Sequence, residues 1–169
     1  MKGHSMINIR YLGDNCLREV STDVKEDEYE DVVSVIDKMY EVMYSNNGIG
    51  LAAPQVGINK RFIIIDIENE KYVMINPVIT KSSTEIQKYS EGCLSLPGAK
   101  AEVERPNEIT VTWCDVEKNI NVDTFTGLMA ICIQHEIDHL DGILFIDRIS
   151  KLKKNMAVKK VNKLIGNIN

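Results

Sequence analysis

The run Gln134-His135-Glu136-Ile137-Asp138-His139 concentrates residue types that can do chemistry. Residues four apart on a helix stand one above the other, so His135 and His139 can offer two imidazole nitrogens to one metal ion. Glu136 lies about 100° around the same helix from His135, within reach of a water on that ion. The plain alternative is two surface histidines that happen to be four apart. Ile131, Cys132, Ile133 and Leu140 argue against it, because they make the helix look buried. Two unpaired imidazoles in such a place would be costly.

Catalytic metal sites usually carry three protein ligands and a water, so this pair needs a third donor. Glu91-Gly92-Cys93-Leu94-Ser95 offers one: a cysteine beside Gly92, ahead of Pro97-Gly98, where backbone can come close to a bound group. A free cysteine is by default a small buried apolar residue, and Cys16 and Cys114 keep that reading. For Cys93 the unfilled ligand position on the two-histidine helix reverses it. Cys132, one turn before His135, is expected to line the pocket.

Gly48-Ile49-Gly50-Leu51-Ala52-Ala53 matches the dinucleotide-binding pattern GxGxxA. That pattern needs a strand before it and a helix after it. Here a helical pattern precedes it and Pro54 interrupts the segment after it, so a glycine-rich turn that delivers the Gln55 amide to a site is the better reading, with a plain structural turn as the alternative.

These residues must be positioned by the elements around them. Tyr29, Val32, Val33, Ile36, Met39, Tyr40 and Met43 follow the helical period from about Asp27 to Tyr44, with acidic residues in the first turn and Asn46-Asn47-Gly48 at the end. Phe62 to Ile67 and Tyr72 to Ile79 read as strands. Ile109, Val111 and Trp113 alternate with threonines as in a half-buried strand, and a hairpin near Glu117-Lys118-Asn119 leads into a strand from Ile120 to Phe125. A helix from about Leu128 to Leu140 carries the histidines. A last helix begins near Ser150, with Val158, Val161, Ile165 and Ile168 on one stripe. Strands joined by short turns, with helices before and after, predict an α+β fold: antiparallel sheets packed around the histidine helix, and a C-terminal amphipathic helix.

The chain has 169 residues, 44% hydrophobic and 27% charged, which fits one soluble globular domain. The longest apolar run, Leu128 to Ile133, is too short to cross a bilayer, and no secretory leader opens the chain. Residues 1–5, which include the third histidine, His4, read as an added leader ahead of a natural start at Met6. Four dispersed cysteines point to a reduced, cytoplasmic protein. The net charge of −5 is uneven: six lysines and no acid follow Ser150, leaving 14 Lys and Arg against 25 Asp and Glu before it, a net of −11. An acidic body disfavours DNA binding, whereas a basic tail can touch a polyanion locally.

In their order and spacing, GIGLAAPQ (Gly48 to Gln55), EGCLS (Glu91 to Ser95) and QHEIDHL (Gln134 to Leu140) resemble the three signature motifs of bacterial peptide deformylases. The resemblance runs from about Ile7 to Ile149, so residues 6–150 would form the catalytic domain, with 151–169 a basic helix of the same domain. It implies hydrolytic removal of the formyl group from the N-terminal formyl-methionine of nascent polypeptides, releasing formate. By the same resemblance Cys93, His135 and His139 hold one divalent metal, Glu136 is the acid/base, and Gln55 with the Leu94 N–H forms the oxyanion site. The family's metal is typically Fe(II), replaceable by nickel, cobalt or zinc; ligand type alone leaves zinc equally suitable. Part of the family docks its C-terminal helix on the ribosome; a solvated helix packing its apolar stripe on the body is the plainer reading of the same lysines.

An unbranched methionine pocket is expected from the stripe Leu128, Ile131, Cys132 and His135 on one wall, with Ile49 and Glu91 opposite; ordinary core is the equally good reading of Leu128 and Ile131. The substrate main chain is expected to add a strand at Ile49-Gly50, leaving later side chains largely unread. Two rivals remain. A zinc metallopeptidase shares the His-Glu-x-x-His pattern but usually takes a carboxylate or histidine as third ligand. A metal-stabilised binding module would need a fourth protein ligand, and none is obvious.

Overall fold

The computed structural model describes residues 7–168. The proposed leader and the start at Met6 lie outside the described residues.

Residues 7–28 run irregularly over the surface, with short 3-10 turns at Asn15–Leu17 and Glu26–Glu28. Helix α1 follows (Tyr29–Ser45), then strand β1 (Gly50–Ala52), a 3-10 turn (Ala53–Val56) and strands β2 (Phe62–Ile67) and β3 (Glu70–Ser82). Strands β4 (Ile86–Cys93) and β5 (Leu96–Pro106) form a separate hairpin. Then come β6 (Glu108–Cys114), β7 (Ile120–Thr126), α2 (Gly127–Leu140), a 3-10 turn (Phe145–Arg148) and α3 (Lys151–Ile168).

The main sheet has five antiparallel strands in the order β1-β2-β3-β6-β7. Its β2 strand explains the apolar run Phe62 to Ile65, which is buried throughout. Phe62 and Ile64 face α1 together with Val32, Val35, Met39 and Met43. Ile63 and Ile65 face the opposite layer with Ile133, Ile137 and Leu140 of α2. A strand covered on both faces reads as continuous rather than alternating hydrophobicity. In β6 the expected alternation holds, with Ile109, Val111 and Trp113 buried between half-buried neighbours.

Helix α2 is the central element: every residue from Ala130 to Leu140 is buried, polar ones included. The five-stranded sheet covers one side, and β5 approaches from the other. The sequence patterning offered no strand for β4 or β5. The reason is physical: β4 buries only Glu91, a charged residue, and shows no apolar face, and the buried positions of β5 mix Leu96, Ala99 and Val103 with the charged Arg105.

Helix α3 begins where expected. Val161 is buried and Val158 and Ile165 are half-buried against Leu17, Leu96, Val103 and Phe145, but Ile168 is exposed and leaves the expected stripe. No helix among the described residues is long and apolar enough to cross a membrane.

Asp147 ties α3 to the body, accepting from Arg18 at 2.5 Å, Lys154 at 2.6 Å and the Leu144 N–H at 2.9 Å. Burial would raise its pKa, but these donors outweigh it and hold the carboxyl at about 2. A lowered pKa stabilises the fold above the ordinary value of 3.8 and ceases to do so as the group protonates. The stability advantage of the parent over Asp147→Asn, followed by denaturant melts, should therefore be constant above about pH 5 and shrink as pH falls from 4 to 2.

Candidate metal centre

The two-residue turn Leu94–Ser95 at the β4–β5 hairpin places Cys93 at the end of β4, facing α2. Donor atoms of Cys93, His135 and His139 all lie within 4.8 Å of one another, and Cys93 Sγ is 3.3 Å from His139 Nε2. Among the described residues no fourth Cys, His, Asp or Glu joins this group. All three expected ligands are thus together, although the strand and the helix that carry them are far apart in the chain. The helix spacing brings the imidazole centroids to 5.1 Å.

The ligands are held from behind. His135 Nδ1 lies 2.8 Å from Glu91 Oε1, which leaves Nε2 as its ligating nitrogen. Glu91 is itself clamped by Arg105, whose Nε and Nη2 donate at 2.6 and 2.9 Å. The same guanidinium donates from Nη1 to Asp138 Oδ2 at 2.9 Å, and Arg148 closes the far side of Asp138 with bonds of 2.6 and 2.7 Å. Glu91 and Arg105 are only 4% and 3% exposed. Sequence reasoning placed Glu91 in the methionine pocket wall; the structure turns its carboxylate inward instead, as the orienter of His135. It did not single out Arg105, Asp138 or Arg148 at all. The only available signal was Asp138 inside the histidine motif, an acid on a helix otherwise read as buried.

Electrostatics fit a site built for a cation. Burial disfavours a charged His135, but the Glu136 carboxylate and the bonds to Cys93 and Glu91 outweigh it and push its pKa well up. His139 is driven well below the ordinary imidazole value by burial and by the charge on His135. Burial lifts Glu136 to about 7. Two buried atoms here lack any hydrogen-bond partner, Glu136 Oε1 and His139 Nδ1. A carboxylate oxygen left unpaired beside a thiol and two imidazoles is a costly arrangement unless a ligand completes it. A thiolate and two imidazoles suit Fe(II), Zn(II), Ni(II) or Co(II), and the residues present fit such an ion.

The first motif wraps the other side. Gln55 is 1% exposed; its Oε1 accepts from the Ala52 N–H at 3.0 Å, and its Nε2 donates to Ser95 Oγ at 3.1 Å and points at Cys93 Sγ, 3.4 Å away. The turn thus brings the amide against the Cys93 sulfur. A 3-10 turn, not a helix, follows β1, so the GxGxxA pattern lacks its nucleotide-binding context. The glycines have a packing cause. A Cβ on Gly50 would stand 2.6 Å from Glu136 Oε2 and 2.7 Å from Cys132 Sγ, and one on Gly48 would meet Leu94 Cδ1 at 2.8 Å. Of the expected pocket residues, Ile131 and Cys132 are buried, Leu128 is half-buried, and Gly92 and Ile49 are exposed.

The polypeptide deformylase sequence profile matches residues 6–155. The chain belongs to the polypeptide deformylase family. A peptide deformylase of Rhizobium meliloti (strain 1021) is 47% identical over 157 residues, covering 90% of each chain. The crystal structure of a Legionella pneumophila peptide deformylase superposes with a TM-score of 0.89 at 40% identity, covering 95% of each chain. One from Synechococcus elongatus, solved with actinonin, gives 0.87 at 41% identity over 96% of this chain and 88% of that one. This deformylase chain therefore carries a metal-dependent hydrolase site.

Arg105→Lys keeps the charge but cannot grip Glu91 and Asp138 together. Its affinity for zinc, measured by chelator competition, should fall about 10- to 100-fold, as for other losses behind a metal ligand. An affinity equal to the parent's would remove Arg105 from the support of the site.

Proposed function

We propose that the chain hydrolyses the formyl group from the N-terminal formyl-methionine of newly made polypeptides, and that Fe(II) is its working metal. The observation that carries this is the cysteine ligand. Cys93 with His135 and His139 separates the site from metallopeptidases, whose third ligand is usually a carboxylate or histidine.

A divalent ion held by Cys93, His135 and His139 supplies Lewis acidity, lowering the pKa of water, to about 7 in well-studied zinc enzymes. The residues of the chain do the rest. Glu136, with one oxygen unpartnered and a pKa raised by burial to about 7, is suited to accept a proton from water and return it to the departing amine. Charge developing on the formyl oxygen is met by the Gln55 Nε2 amide and the Leu94 backbone N–H; one such donor is typically worth ~3–4 kcal/mol.

Substrate main chain is bound at the open edge of β1. The Ile49 carbonyl is already taken by the Asp66 N–H at 2.9 Å, and antiparallel strands alternate the side to which a residue's polar groups point. It is therefore Gly50, paired across from Ile65, that aims its N–H and C=O away from β2. A strand added there is read through backbone, which suits an enzyme acting on many different nascent chains. Leu128, Ile131 and Cys132 line the methionine side chain's pocket, and exposed Gly92 lets the substrate pass close to β4.

The outward face of α3 carries Lys151, Lys153, Lys159 and Lys163 with Leu152 and Met156, which are 71% and 64% exposed. This face favours docking on the ribosome, whose RNA is polyanionic, in the cytoplasm where nascent chains emerge.

Glu136→Gln should retain the metal by elemental analysis yet lose formate release from formyl-Met peptides by orders of magnitude. Cleavage of an internal peptide bond by the parent, without formate, would overturn the assignment. Changing Lys151, Lys153, Lys159 and Lys163 to Glu should weaken salt-sensitive ribosome co-sedimentation without changing peptide turnover. Unchanged co-sedimentation would dispose of the docking reading.

A further inference from the structure

Ser95 is fully buried, next but one to Cys93, and has no assigned part in the chemistry. Its two oxygens join three segments. The backbone carbonyl accepts from the Leu12 N–H at 2.9 Å, and Oγ accepts from Gln55 Nε2 at 3.1 Å. Two residues earlier on the same N-terminal segment, the Arg10 N–H donates to the Gln55 carbonyl at 2.7 Å. Cys16 Sγ also donates to the Pro54 carbonyl at 3.3 Å. The N-terminal segment thus laces the Gln55 turn to the Cys93 turn, and Ser95 is the point at which the side chain of one meets the other.

The hydrogen-bonding capacity of the amide gives this contact a consequence. A glutamine side chain has one acceptor oxygen and one NH2 with two donors. The Ala52 N–H takes Oε1, which settles which end of the amide faces the metal ligands. Ser95 Oγ then takes one of the two Nε2 protons. The other is donated to Cys93 Sγ, 3.4 Å from Nε2.

We propose that Ser95 is a positioning residue for the deformylation step: by occupying one proton of the Gln55 amide, it aims the second at the oxygen on which charge develops. The inference rests on the deformylase reading above. Without Ser95 Oγ, the amide keeps its Ala52 contact but loses one of the two bonds made by Nε2, and the N–H on the Cys93 side is held in its direction by the 3.4 Å contact to Sγ alone. Misdirecting a charge-stabilising donor acts on the transition state, so kcat falls while KM does not.

The test is a double-mutant cycle on metal-loaded protein with a formyl-Met-Ala-Ser peptide. Ser95→Ala should lower kcat about 10- to 100-fold with KM and metal content unchanged, the scale expected of a misplaced catalytic donor. In a Gln55→Ala background the same substitution should cost nothing further, because a residue acting only through Gln55 has nothing left to act on. A kcat equal to the parent's, or an equal loss in both backgrounds, would overturn the proposal. A second arm needs no turnover: in the zinc-loaded protein the Gln55 side-chain NH2 protons, followed by 15N NMR, should exchange with solvent faster in Ser95→Ala than in the parent. Equal exchange would mean that Ser95 does not hold the amide. If the parent releases no formate, the functional reading fails and the aiming role with it, while the exchange arm still judges the Ser95–Gln55 bond.

Discussion

Arg105 sets the distance between the two elements that must meet at the metal. Glu91, two residues before Cys93, and Asp138, one before His139, bind the same guanidinium. The thiol strand and the imidazole helix are thus cross-linked immediately beside their ligating residues. A planar fork with a fixed spacing of donors is suited to this, since it transmits position as well as charge. Replacing such a buried network by apolar residues would often cost little stability. What an apolar replacement could not do is orient His135 through Glu91, so the network is better understood as preorganisation of the site than as glue for the fold.

The rest of the architecture keeps that arrangement dry and rigid. The five-stranded sheet is covered by α1 on one face and α2 on the other, so α2 cannot move without disturbing the Ile63, Ile65 and Ile137 layer. Close-packed layers of this kind resist small displacements. At the edge of that sheet α2 meets β1 at Gly50, where only a hydrogen fits against Glu136 and Cys132. The absence of a side chain there brings the edge strand β1 against the Glu136 carboxylate.

Much of this was legible in the chain because the chemistry and the core follow simple periods. Four-residue histidine spacing, the alternation in β6, the apolar run of β2 and the helical stripe of α1 each announce one element. The β4–β5 hairpin was not legible, for a reason that also explains its role. In β4 the buried position is Glu91, and a buried acid looks like an exposed one until its partner is known. Arg105, 14 residues away, is equally silent, because an ion pair across a hairpin leaves no periodic trace. Ser95 sat inside a recognised motif, but its hydroxyl contact with Gln55 depends on two loops meeting 40 residues apart. Local patterns report local structure; the supports of the site are long-range polar contacts.

Charge accounting shows why these supports and the cation belong together. Glu91 and Asp138 are matched by Arg105 and Arg148, which leaves Cys93, ligating as a thiolate, and Glu136 as the remaining negative groups around the neutral imidazoles. A divalent ion balances both. Burial lifts the Glu136 carboxyl to about 7, and against the pull of burial the Glu136 carboxylate and the bonds to Cys93 and Glu91 raise His135. Binding the ion therefore releases protons, and affinity rises with pH until the donors are bare. Despite its burial, the bonds from His135 and Arg105 hold the Glu91 carboxyl below its ordinary value. The charge that changes when the metal arrives is thus confined to the groups that ligate it or carry the proton.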